Sequence, residues 1–311
     1  MNPIICIAGP TASGKTALAV ELALALNGEV VSCDSMQVYK RMDIGTAKPT
    51  LEERRGIPHH MIDVAEPWED YSVSRYCAQA APIVEDIVAR GKTAIIAGGT
   101  GLYLDSLIRG NDFAPFPSTG VREQLEAQAD REGIEVLFAR LQQIDPGAAA
   151  RLPLSDRKRI IRALEVYLET GETITAHNLR TQQQPPRFAP VWLGLDFESR
   201  AALYSRIDAR VGQMLEAGLL EEIRSLLADG IPEKCTAMQA IGYKEFTAAL
   251  EGRCTIDQAA DLVRQSSRRY AKRQLTWFRR NREIHWLVRR PGQTDAEILA
   301  QARQLLQEND R

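Results

Sequence analysis

Eight consecutive residues near the amino terminus have the types and spacing needed to hold a diphosphate. They match the pattern G-x-x-x-x-G-K-[ST] and are Gly9, Pro10, Thr11, Ala12, Ser13, Gly14, Lys15 and Thr16. In such a loop, backbone N–H groups and the positive end of the following helix face phosphate oxygens. Lys15 would neutralise those oxygens, and the Thr16 hydroxyl would help to hold Mg²⁺. An ordinary glycine-rich turn is the alternative, and the motif leaves open which phosphates bind.

Strand-like and helix-like patterns flank this loop. Residues 4–8 form a short apolar run typical of a buried parallel strand, and residues 16–26 have apolar residues at helical spacing. Further strand-like runs, with helical patterns between them, occupy residues 29–33, 93–97, 190–195 and 284–288. We therefore predict an α/β fold, a P-loop NTPase-like parallel sheet flanked by helices.

Two polar residues directly follow strand-like runs. Asp34 comes after the second run, and Thr100 lies in the glycine-rich turn 98–101 after the third. Ligands of open parallel sheets bind outside the carboxyl ends of the strands, so we expect both side chains at the phosphate site. Asp34 could act on a metal through water or serve as a general base. Helix N-capping is the alternative for each residue.

The middle of the chain differs in character from its flanks. Residues 113–117 predict a linker, and helical patterns follow at 119–132, 134–144 and 157–170. We predict an inserted all-helical subdomain at 111–189, within a core domain made of residues 1–110 and 190–311. It is expected to act as a mobile lid or a substrate-gripping unit.

Two clusters of cations are candidates for contact with a polyanion. The insertion carries Arg157, Lys158, Arg159 and Arg162, which form either a solvated helix face or a phosphate-backbone contact. Residues 264–282 hold eight cations, no acid and three aromatic residues, in a chain whose net charge is only −2. Those cations are Arg264, Arg268, Arg269, Lys272, Arg273, Arg279, Arg280 and Arg282. This second cluster favours contact with RNA or with a diphosphate.

Composition excludes several other classes of protein. At 311 residues and 44% hydrophobic the chain can bury a sizeable core, and no apolar run approaches the roughly 20 residues that span a bilayer. The amino terminus runs directly into the first strand-like segment, so we expect no signal peptide. Five scattered cysteines without a C-x-x-C pair indicate reduced thiols in a cytoplasmic protein. A monomer is the default expectation.

Six segments spread over nearly the whole chain resemble the bacterial tRNA dimethylallyltransferases, also called isopentenyl-diphosphate:tRNA transferases. They are GPTASGKT (9–16), CDSMQVYKRMDIGTAKP (33–49), GGTGLYL (98–104), RIIRALEVY (159–167), IGYKE (241–245) and AKRQLTWFRR (271–280). The resemblance implies transfer of a dimethylallyl group from dimethylallyl diphosphate to N6 of the adenosine 3′-adjacent to the anticodon, tRNA position 37. The resemblance also implies that diphosphate is released and that Mg²⁺ assists.

The resemblance also implies roles for individual residues. Asp34 would accept the N6 proton, Thr100 would contact the bridging or leaving oxygen, and Arg210 would stabilise the developing diphosphate charge. Ser35, Met36 and Gln37 would line the pocket of the extruded adenine. The full set of implied tRNA contacts is Asp34, Ser35, Met36, Gln37, Thr100, Arg122, Lys158, Arg159, Ile160, Ile161, Arg162, Gln239, Ala240, Ile241, Gly242, Tyr243 and Lys244.

Three alternatives remain open at this point. A P-loop small-molecule kinase would use ATP, but it leaves the cations of residues 264–282 and the long insertion without a purpose. An adenylate isopentenyltransferase would act on free AMP and would not need the insertion to hold RNA. An RNA-binding protein with a vestigial P-loop would not be expected to keep Lys15, Thr16 and Asp34 together.

Overall fold

A computed structural model describes residues 4–111 and 119–309 of the chain. The predicted linker at 113–117 lies outside the described residues. The chain divides into two compact units, one made of residues 1–110 and 187–311 and the other of residues 111–186. The second unit ends three residues before the expected position 189. Phe188 N–H donates to the carbonyl of Ile108 (3.1 Å) and Arg187 pairs with Glu85, so residues 187–189 belong with the first unit.

The first unit contains both strands and helices, and helices alone make up the described elements of the second. The strands are β1 (Ile4–Ala8), β2 (Gly28–Ser32), β3 (His59–His60), β4 (Thr93–Gly98), β5 (Val191–Phe197) and β6 (His285–Arg289). The helices are α1 (Lys15–Ala25), α2 (Leu51–Arg54), α3 (Val73–Ala89), α4 (Gly101–Arg109), α5 (Val121–Glu132), α6 (Ile134–Ile144), α7 (Pro146–Ala149), α8 (Arg157–Thr170), α9 (Ile174–Gln183), α10 (Arg200–Glu216), α11 (Leu219–Ala228), α12 (Tyr243–Leu250), α13 (Ile256–Phe278) and α14 (Asp295–Asn309).

The six strands form one sheet in the order β3-β2-β4-β1-β5-β6, and every pairing is parallel. This arrangement confirms the predicted α/β fold with a parallel sheet flanked by helices. Because side chains alternate across a strand, β1 supplies both faces of the sheet. Ile5 and Ile7 pack in a core with Leu22 of α1, whereas Cys6 and Ala8 belong to a larger core on the other face.

The register of the central strands brings three loops to one edge of the sheet. Ala8 of β1 pairs with Gly98 of β4, and Ser32 of β2 pairs with Ala97. The phosphate-loop motif follows β1, Asp34 follows β2 and the turn 98–101 follows β4. The carboxyl ends of these strands therefore position the candidate site.

The second unit has a small apolar core of its own, and its helices α5, α6 and α8 contribute Leu125, Leu137, Leu141, Ile160 and Leu164 to it. Helix α9 was not among the helices predicted for the insertion from the sequence. It begins after Thr173, whose side chain accepts a hydrogen bond from the Ala176 N–H, and such a cap stabilises a helix whose residues have little apolar periodicity.

Among the helices of the described residues, none is long and apolar enough to cross a lipid bilayer.

Candidate active site

The phosphate-loop motif forms a concave turn between β1 and α1. Ala12 (φ 63°) and Gly14 (φ 94°) have left-handed backbone conformations, and no side chain of the described residues caps the amino end of α1. Left-handed residues interspersed in a turn direct successive N–H groups to one side, which makes an anion-binding concavity. The Ser13 hydroxyl is buried there and has no hydrogen-bond partner among the described residues. An anion oxygen would supply the missing partner.

Lys15 folds back onto the same loop. Its Nζ donates to the carbonyl of Pro10 at 2.7 Å. Burial, followed by the nearby charge of Arg210, lowers the pKa of Lys15 to about 7. Lys15 has no ion pair among the described residues, and a bound diphosphate would supply a close anionic partner.

Two arginines of α10 reach the loop from the side. Arg210 Nη1 approaches the Thr11 hydroxyl at 3.4 Å, and Arg206 Nε donates to the carbonyl of Ala12 at 3.0 Å. Burial lowers the pKa of Arg210. The structure thus brings Arg210 to the loop as the resemblance implied. It adds Arg206, which shares the helix face one turn away but had no predicted role.

Asp34 caps a turn and keeps one oxygen for other use. Its Oδ1 accepts from the N–H groups of Met36 (2.8 Å) and Gln37 (3.3 Å), while Oδ2 has no hydrogen bond within the described part of the chain. Residues 35–38 are a turn, so helix N-capping does not describe this residue. The carboxylate is oriented by the backbone and retains a free acceptor, as a general base requires.

Thr100 is tied to the residue after Asp34. Its Oγ1 accepts from the Ser35 N–H at 3.1 Å and lies 3.4 Å from the Ser35 hydroxyl. Although Thr100 directly precedes α4, its side chain makes no capping bond to that helix. The two predicted catalytic residues from β2 and β4 are therefore held in one hydrogen-bonded unit.

Gln37 supports the turn and does not point freely at a ligand. Its Oε1 accepts from Ser32 Oγ (2.9 Å) and its Nε2 donates to the Ala47 carbonyl (3.0 Å).

Lys48 nearby is buried and bonded to the carboxylates of Asp43 and Asp63. This cation therefore stabilises the loop and is not a free phosphate contact.

The predicted contact segment 239–244 is mostly a packing element. The side chain of Tyr243 is fully buried, and its hydroxyl donates to Glu222 (2.5 Å), which also accepts from the N–H groups of Asp43 and Ile44. Ala240 and Gly242 are buried, Ile241 is half-buried, and Gln239 and Lys244 are exposed. Tyr243 therefore positions this segment, and the two exposed side chains are the ones that can reach a partner.

The one-sided charge of residues 264–282 is partly neutralised in three dimensions. Arg264, Arg268 and Arg279 pair with acids that lie outside this stretch, namely Asp261, Asp208 and Asp196. Arg280 stacks over Trp277 with its guanidinium carbon 4.1 Å from the ring centroid. Five exposed or half-exposed cations have no ion pair within residues 4–111 and 119–309: Arg269, Lys272, Arg273, Arg280 and Arg282. These remain available to a polyanion.

The second unit contains its own basic face on α8. Lys158 and Arg159 are exposed, and Arg159 makes only a loose contact (3.3 Å) with Asp156. Arg122 and Arg162 both pair with Glu165. The side chains of Ile160 and Ile161 lie in the core of this unit, so they orient the basic residues and cannot themselves face a ligand.

Gln274 of α13 is a site residue that sequence reasoning missed. It is buried and bonds both the phosphate-loop motif and the turn 98–101. The KRQ triplet contributed to the resemblance, but no local pattern indicates that a glutamine amid exposed cations faces inward.

The site suits a metal ion that is coordinated mainly by the oxygens of a bound diphosphate. No group of three or more His, Cys, Asp or Glu residues in the described ranges could hold one. The Thr16 hydroxyl has no hydrogen bond among those residues. Mg²⁺ commonly keeps several waters and takes one or two protein ligands together with phosphate oxygens, so Thr16 and a diphosphate suit it.

Comparisons with known proteins agree with this geometry. The family model "IPP transferase" matches residues 37–281, and the model "Isopentenyl transferase" matches residues 2–70. The chain is 49% identical to the tRNA dimethylallyltransferase of Carboxydothermus hydrogenoformans over 284 residues, 91% of each chain. It is 46% identical to that of Thermomicrobium roseum over 293 residues, 94% of this chain and 88% of the relative.

Solved structures give the same result. The full-length tRNA isopentenylpyrophosphate transferase of Bacillus halodurans superposes with a TM-score of 0.73 at 40% identity, covering 98% of this chain and 96% of that one. A eukaryotic dimethylallyltransferase acting on tRNA superposes with a TM-score of 0.81 at 30% identity, covering 100% of this chain and 79% of the other. These findings confirm the resemblance: the chain belongs to the IPP transferase family, the family of its tRNA dimethylallyltransferase relatives.

Proposed function

We propose that this protein is a tRNA dimethylallyltransferase. It transfers a dimethylallyl group from dimethylallyl diphosphate to N6 of the adenosine 3′-adjacent to the anticodon, and it releases diphosphate. One observation carries the proposal: in a chain of this family, an oriented carboxylate, a threonine hydroxyl and a cationic phosphate loop meet at one edge of the sheet.

The nucleophile side of the reaction needs a base. The N6 amine of adenine is a weak nucleophile because its lone pair is delocalised into the ring. As the bond between N6 and C1 of the prenyl chain forms, Asp34 Oδ2 takes the N6 proton, while Oδ1 stays bonded to the turn. The backbone bonds at Oδ1 keep the carboxylate in the correct orientation.

The leaving-group side needs positive charge. As the C1–O bond breaks, negative charge grows on the diphosphate, and Lys15, Arg210 and the loop N–H groups stabilise it. A bound diphosphate favours the charged form of Lys15, whose pKa is about 7 in the free protein. The Thr100 hydroxyl donates a hydrogen bond to the bridging or leaving oxygen and keeps its proton. Mg²⁺ held at Thr16 would supply further charge neutralisation when bound.

The acceptor must be presented as an unstacked base. Extruding an adenosine from the anticodon loop costs a few kcal/mol, which backbone contacts can offset. We assign those contacts to the exposed Lys158 and Arg159, to Gln239 and Lys244, and to the unpaired cations of α13. We also propose that the enzyme acts on tRNA in the cytoplasm and works as a monomer.

A side-by-side labelling assay tests this function. The protein is incubated with labelled dimethylallyl diphosphate and, separately, unmodified tRNA or AMP, and ATP consumption is measured in parallel. We expect label in tRNA alone. Label in AMP would indicate an adenylate isopentenyltransferase, and ATP consumption would indicate a kinase; either result would overturn the proposal.

A further inference from the structure

Gln274 lies where α13 meets two loops of the candidate active site. Its side chain is only 5% exposed. Oε1 accepts from the Thr11 N–H at 2.8 Å, and Nε2 donates to the Gly99 carbonyl at 2.9 Å. These two bonds fix the orientation of the amide, because the backbone N–H can only donate and the backbone carbonyl can only accept.

The contact with Gly99 leaves no room for a side chain there. A Cβ atom at Gly99 would lie 2.1 Å from Gln274 Nε2. One turn further along α13, Trp277 packs in the same way on Gly101, where a Cβ atom would lie 2.3 Å from its ring. Helix α13 therefore holds the backbone on both sides of Thr100.

The other end of the amide holds the phosphate loop. Thr11 is the residue whose hydroxyl also lies against Arg210, so its backbone position affects both the loop and the arginine. The Thr11 N–H donates its hydrogen bond to Gln274. One buried side chain thus spans the distance between the loop that binds diphosphate and the turn that carries Thr100.

We propose that Gln274 is a positioning residue that sets the phosphate loop against Thr100, so that a diphosphate in the loop meets the Thr100 hydroxyl. This inference rests on the proposed function, in which the diphosphate bound by the loop is the leaving group that contacts Thr100. Glutamine suits the place because it carries a donor and an acceptor at the required length. Methionine has the length but neither group, and an ionised glutamate would present only acceptors to the Gly99 carbonyl.

The test uses Gln274→Met and Gln274→Glu in the full chain, with Gln301→Met as the matched control. Gln301 is exposed on α14, remote in sequence from the site. Three quantities are measured for each variant: the melting temperature, the Kd of inorganic pyrophosphate with Mg²⁺ by calorimetry, and kcat and KM in the transfer assay. Gln274→Met loses the bonds to both backbone groups, whereas Gln274→Glu loses the bond to the Gly99 carbonyl and places a carboxylate against it, so each should weaken pyrophosphate binding about tenfold or more.

We expect both Gln274 variants to bind pyrophosphate more weakly and to show a lower kcat with tRNA at a temperature where they are folded, while Gln301→Met matches the wild type. A variant at Gln274 that melts at a lower temperature but keeps wild-type Kd and kcat would overturn the proposal, since its role would be structural only. If the wild type failed to label tRNA, the proposed function would be refuted. The comparison of pyrophosphate Kd values between the wild type and the Gln274 variants would still test the role of Gln274.

Discussion

Replacing Lys15 by methionine should stabilise the donor-free protein while it abolishes diphosphate binding. Lysine has an ordinary pKa of about 10.4. Burial beside Arg210 lowers the pKa of Lys15 to about 7. A difference of roughly three pKa units, at about 1.4 kcal/mol per unit, corresponds to about 4 kcal/mol of cost for holding the charged form.

Two effects reduce the gain expected from the substitution. Lys15 is only partly buried, so water screens its charge, and methionine loses the hydrogen bond to the Pro10 carbonyl. We expect Lys15→Met to raise the free energy of unfolding by about 2 kcal/mol at pH 6. Between pH 7 and pH 10 the unfolded chain binds the proton and the folded chain does not. The stability of the wild type therefore rises with pH in that window, and the advantage of the variant falls toward zero.

Urea denaturation at pH 6 and pH 9 measures this difference, followed by tryptophan fluorescence because all four tryptophans lie in the first unit. Lys234→Met is the control, since Lys234 is exposed and has no ion pair among the described residues. A Lys15→Met variant that is less stable than wild type at pH 6, or whose advantage grows with pH, would refute the reasoning.

Two further predictions concern packing and RNA contact. Gly101→Ala should destabilise the first unit by about 2 kcal/mol because the new methyl group meets the Trp277 ring, while Gly212→Ala, with open space around it, should be neutral or stabilising; thermal denaturation compares the two. Arg159→Glu should weaken tRNA binding about tenfold and lower its salt dependence, while Arg131→Glu on α5 should do neither. Filter binding over a salt series checks this, and a change confined to kcat would contradict the role of Arg159.

Sequence reasoning succeeded where the signal is local. Apolar runs predicted five strands, and the strand-end rule placed Asp34 and Thr100 together because parallel strands end at one edge. Strand β3 has only two residues, both histidines, and carries no apolar run. These two residues form a strand because they pair with the edge of β2, and no local sequence pattern indicates this pairing.

The remaining features depend on long-range contacts. Arg268 looked like a free cation, but Asp208, its partner, lies 60 residues away and could not be assigned from spacing. Tyr243 resembled a tRNA contact by motif, yet its burial follows from the packing of Glu222 on the segment 43–45. The inward orientation of Gln274 likewise depends on where α13 crosses two loops that are distant in sequence.

Nucleoside analysis of tRNA tests the central claim most directly. Unmodified tRNA is incubated with dimethylallyl diphosphate and either the wild type or Asp34→Asn, then digested and analysed by mass spectrometry. Asparagine keeps an acceptor for the Met36 N–H but cannot take the N6 proton. We predict N6-isopentenyladenosine beside the anticodon with the wild type, and at least about a hundredfold slower formation with Asp34→Asn despite unchanged pyrophosphate affinity. Equal rates for the two proteins, or no isopentenyladenosine with the wild type, would contradict the account.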